Sequence, residues 1–110
     1  LEIADLTQLY IKCMENCNKF IDSYIDVFIV EINSSPYTDN NRKKIINYIY
    51  KCYCTNNKLY YDENDEDNLT KLDTMEEKKK LKSFILIDKN IRKEILFNKK
   101  IFLEKILEED

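Results

Sequence analysis

LEIADLTQLYIKCMENCNKFIDSYIDVFIVEI, residues 1–32, is the stretch whose reading decides the fold. Leu6, Leu9, Tyr10, Cys13, Cys17, Phe20, Ile21, Tyr24, Phe28 and Ile32 recur three or four residues apart, the spacing that lines one face of an α-helix. No glycine or proline interrupts the stretch, and a continuous helix would run roughly 48 Å at the helical rise. Val27 to Val30, taken alone, has the composition of a buried strand. The apolar stripe passes through it in register, so helix is the reading. This stripe is expected to organise the core, with the rest of the chain as its cover.

Asp5 or Thr7 caps the start of this helix, and Asn33-Ser-Ser-Pro36 ends it, because the residue before a proline is pushed out of the helical region. Thr38 then caps a second helix whose expected inward face is Ile45, Tyr48, Ile49 and Cys52, and which stops at Asn56-Asn57. The short connection predicts that this helix folds back antiparallel on the last turns of the first. A polar acidic loop follows over about 62–73. Its stretch from Asp62 to Asp67 holds five acids in six residues, repels itself and stays out of the core. It matches a calcium-loop register only in part, since Asp67 stands where the turn needs glycine and Asp73 where a bidentate glutamate is usual.

Capping boxes pair Asp73 with Glu76 or Thr74 with Glu77, so a third helix starts there. From Leu81 to Leu107 the apolar residues make a stripe through Phe84, Ile87, Ile91, Ile95, Phe102 and Ile106. Ile85, Leu86, Leu96, Phe97, Ile101 and Leu103 widen it. That width implies burial on two sides or a break, with Asp88-Lys-Asn90 the natural place for one. The fold class expected is all-α: residues 1–110 as a single domain, a small antiparallel bundle of three or four helices.

Residue usage is lopsided, with 16 Lys against 2 Arg, 15 Ile against 2 Val, 12 Asn, and neither Gly nor Trp. These are the amino acids of A/T-rich codons and point to an AT-biased genome, as in many unicellular parasites and large DNA viruses. Asn is then expected at some positive-φ positions that glycine would otherwise fill. The net charge of −3 gives no general attraction to nucleic acid or anionic membrane. The lysine groups at 78–80 and 99–100 are interleaved with acids and read as solvated helix faces. No apolar run approaches the ~20 residues of a membrane helix, so membrane insertion is not expected and the chain reads as soluble. Residues 1–15 lack the basic start and apolar core of a signal peptide, and without an initial Met the chain reads as a processed or excised piece.

Catalysis has no support: without histidine there is no imidazole base, and without glycine no phosphate cradle or nucleophile elbow. No cofactor is implied. Cys13, Cys17, Cys52 and Cys54 pose the one specific chemical question. They can be reduced core thiols, disulfide partners across the first two helices, or, against the usual knuckle spacing, metal ligands. On a helix Cys52 and Cys54 point about 160° apart, so Cys52, with Cys13 and Cys17, is expected inside and Cys54 outside.

The expected function is a non-enzymatic protein interaction or assembly module, whose partner is another protein or a second copy of the chain. Phe97, Ile101 and Leu103 are the first candidates for its surface, and Tyr50, Tyr53 and Tyr60 the second. The alternatives are an extracellular, disulfide-stabilised helical binding domain or a cysteine metal-binding protein.

Overall fold

The computed structural model describes the backbone of residues 3–34, 36–66 and 68–108, with the side chains of all of these except 3–7 and 10–16. Four helices follow one another: α1 (Ile3–Ile32), α2 (Asp39–Asn56), α3 (Met75–Ile87) and α4 (Lys89–Glu108). No strand occurs among the described residues, and Val27 to Val30 is helical as its register demands. No helix among them is long and apolar enough to cross a membrane.

Local chemistry places the helix ends. Thr38 caps α2, its hydroxyl accepting from the Asn41 amide at 3.1 Å. Of the two expected capping boxes, Thr74 with Glu77 is the one formed, each side chain accepting from the other's backbone amide. α2 closes in a Schellman arrangement: Leu59 N–H donates to Cys54 O at 2.8 Å and Lys58 N–H to Thr55 O at 3.3 Å. Among the described residues Lys58, and no asparagine, holds the positive φ of 57° that this turn needs. Compared with glycine, the left-handed geometry there costs about 1–2 kcal/mol.

The chain's two arginines both serve helix ends. Arg42 Nε donates to Ile32 O, the last residue of α1, and its other nitrogens bind Tyr37 O and Asp39. Arg92 Nη1 donates to Leu86 O at the end of α3. Both fill the carbonyls that a helix C-terminus leaves unpaired.

The core gathers Ile25, Phe28, Ile29 and Ile32 from α1, Ile45, Ile46 and Ile49 from α2, Leu81, Phe84 and Ile85 from α3, and Ile91, Ile95, Phe102, Leu103 and Ile106 from α4. Leu69 and Leu72, isolated in the polar loop, plug into it. Asn33 Nδ2 pins that loop to the end of α1 through Leu72 O.

Two expectations are corrected here. Of the described members of the α1 stripe, Leu9, Cys17 and Phe20 are exposed, Leu9 at 58% and Phe20 at 64%, and the core begins at about Ile21, while the side chains of Leu6, Tyr10 and Cys13 lie outside the described residues. α1 is 30 residues long while α2, α3 and α4 have 18, 13 and 20. At the helical rise it outreaches them by about 15–25 Å. The second correction concerns pairing. Among the described residues α2 lies chiefly against α3 and α4, and α1 against α3, rather than the first two helices against each other. Lys82 of α3 fastens this arrangement, reaching Asp22 and Asp26 of α1 at 3.0 and 2.8 Å. The two carboxylates hold its ammonium above the usual lysine range.

Candidate functional site: the exposed face of α4

α4 begins at Asp88, which is 4% exposed. Its carboxylate accepts from the Asn90 and Ile91 amides through Oδ1 and from Asn56 Nδ2 through Oδ2, so one side chain starts α4 and ties it to the end of α2. This is the break expected over Asp88 to Asn90. A second one, with no proline or glycine to announce it, lies at Asn98, whose φ of −160° and ψ of 88° leave the helical region. Asn98 Oδ1 accepts from the Ile101 amide at 3.2 Å and so caps the second half of α4 from within.

On either side of that break the outward face is apolar. Phe97 is 93% exposed and Ile101 60%, with Leu96 half-buried beside them. Glu94, Phe97, Asn98, Ile101, Phe102 and Lys105 line one shallow hollow, and Lys93, Glu94, Leu96 and Phe97 an adjoining one. On the opposite side of α4, Lys99 Nζ contacts Glu31 Oε1 at 2.5 Å and lies 5.6 Å from the Tyr24 ring centre, which clamps the second half of α4 to α1. The Glu31 carboxylate raises the Lys99 pKa above its usual value. The apolar face is thus carried on a helix anchored at its start and at its middle.

The sequence candidates divide. Phe97 and Ile101 come together on this face. Leu103 does not: it is 6% exposed and belongs to the core with its neighbour Phe102. Of the three candidate tyrosines, Tyr60 stands free of the core, at 88% exposed. Tyr50 and Tyr53 are half-buried and pack on Phe84, with ring centres 5.1 and 4.4 Å away, and Tyr50 also meets Tyr61 at 5.4 Å.

The cysteines reverse the expected order. Cys54 is buried and Cys52 half-buried, while Cys17 is exposed on the overhanging part of α1. The side chain of Cys13 lies outside the described residues. Cys54 lies against Tyr50, one turn earlier on α2, and near Tyr61, which returns over the end of α2 from a position a helical projection of α2 alone does not show. All three described cysteines are free thiols, and burial raises the Cys52 pKa. Among the described residues no three of His, Cys, Asp and Glu gather as a metal-holding set. A maleimide pulse on the native protein should therefore label Cys17 fastest and Cys54 slowest. Equal rates at Cys17 and Cys54, read by peptide mass mapping, would contradict this packing of α2.

No family model, curated protein or solved structure matches the chain.

Proposed function

We propose that the domain is a non-enzymatic helical module that binds a protein through the Phe97–Ile101 face of α4. The observation that carries this reading is a phenylalanine 93% exposed next to an isoleucine 60% exposed, on a helix whose inner face is committed to the core and whose Lys99 is held by α1. A single exposed apolar side chain needs no explanation, whereas adjoining aromatic and aliphatic groups on a fixed element have the composition of an interface centre. A protein partner fits better than nucleic acid. The net charge is −3, and Lys82 and Lys99 are already engaged by carboxylates of α1.

The test is a photo-crosslinking residue, p-benzoylphenylalanine, at position 97, used on purified protein and in an extract of the native cell. A discrete adduct is expected that is lost with Ile101→Glu, while the melting temperature of Ile101→Glu stays within a few degrees of the parent, as a surface change allows. No adduct in either setting overturns the proposal.

A further inference from the structure

We infer that the α4 face binds a second copy of this chain, the two α4 helices lying antiparallel across a two-fold axis near residue 99. This inference rests on the reading of the face as an interface and names its partner. Along the face the order is Glu94, Phe97, Ile101, Lys105: acid, aromatic, aliphatic, base. All four line the same hollow, and all are exposed.

A two-fold contact brings the same patch against itself, so a patch must complement its own reversed copy. Reversed, this one does. Glu94 falls opposite the second copy's Lys105, Lys105 opposite its Glu94, and Phe97 and Ile101 each opposite the other residue's counterpart. Lys93 and Glu104, also exposed, fall opposite one another at the rim in the same register. A parallel arrangement would set Glu94 on Glu94 and Lys105 on Lys105, which opposes association. The charges thus select one orientation and the apolar pair supplies the contact between them.

The symmetry makes the test sharp, because each charge acts twice per dimer. Sedimentation equilibrium over about a hundredfold range of concentration should show the wild type passing from monomer to dimer. Glu94→Lys or Lys105→Glu alone should weaken the dimer at least about tenfold. Together they restore the opposite-charge pairs, and affinity should return to within roughly threefold of wild type, with additivity failing as it does for groups in contact. Melting curves at low concentration check that each variant is folded.

A wild type that stays monomeric throughout overturns the inference, as does a double variant no better than the single ones. If residue 97 nevertheless gives an adduct with a different protein that Ile101→Glu abolishes, the interface reading stands and only self-association falls. If it crosslinks to nothing, both fall.

Discussion

Phe102→Ala is expected to cost the domain about 3–5 kcal/mol, whereas Phe97→Ala, five residues earlier on the same helix, is expected to change its stability by no more than about 0.5 kcal/mol. The two phenylalanines are chemically identical and differ only in what surrounds them. Phe102 is 3% exposed and Phe97 93%. The Phe102 ring lies 6.4 Å from the ring of Phe28 in α1 and 5.8 Å from that of Tyr48 in α2, so it joins α4 to both. Truncation removes the buried ring, leaves a cavity that the surrounding helices fill only in part, and forfeits two aromatic contacts worth about 0.5–1.5 kcal/mol each. Small domains have only about 5–15 kcal/mol in all, so the loss is a large share. Urea titration followed by circular dichroism measures it. Phe102→Leu, expected to cost less, keeps the comparison readable if the alanine variant is already unfolded in buffer. Equal midpoints for Phe97→Ala and Phe102→Ala would mean that the assignment of inner and outer faces of α4 is wrong.

That assignment marks where periodicity in the sequence is informative and where it stops. Thr38, the Thr74–Glu77 box and the break at Asp88 were legible because each is a local interaction between residues at most three apart. The all-α class was legible for the same reason, every long apolar stripe having a helical repeat. Periodicity tells which side of a helix is apolar, but not whether another helix is long enough to cover it. Phe20 therefore continues the stripe of Tyr24 and Phe28 and is still exposed.

Residues that act across the chain were the hidden ones. Arg42 and Arg92 look like ordinary surface cations, yet each fills a carbonyl at the end of the preceding helix. Leu69 and Leu72 lie in a stretch too polar to suggest a core, and they are buried because Asn33 holds the loop against α1. Asn98 interrupts α4 with a side chain that sequence rules treat as a weak helix former at most, and Leu103 is core while Phe97 and Ile101 stand outside. Sequence spacing told that Phe97, Ile101 and Leu103 lie beside the main stripe of α4, but not which of them the neighbouring helices cover.

The orientation of that face traces back to Asp88, and Asp88→Ala is the second substitution expected to have a large effect, about 2–4 kcal/mol. Two losses combine. Removing a capping side chain costs about 0.5–2 kcal/mol, and stripping a buried hydrogen bond from a partner costs about 1–3 kcal/mol. Here the Ile91 amide loses its acceptor at 3.2 Å in a buried setting, and Asn56 loses the carboxylate oxygen that ties α2 to α4. The negative charge at the N-terminus of α4 also goes, and with it a favourable interaction with the helix dipole. Asp88→Asn separates these contributions. Its carbonyl oxygen can still cap α4, since asparagine is among the best N-caps, while its amide can bond Asn56 only if one of the two amides turns over. A cost of about 1 kcal/mol, well below that of alanine, is therefore expected. Hydrogen exchange supplies the local readout: with Asp88→Ala the amides of Asn90 and Ile91 should exchange faster than those in the middle of α2, because the opening starts at the α3–α4 junction. If Asp88→Ala instead melts with the parent and leaves those amides protected, α4 is positioned by its apolar contacts alone, and the direction in which Phe97 and Ile101 face owes nothing to this carboxylate.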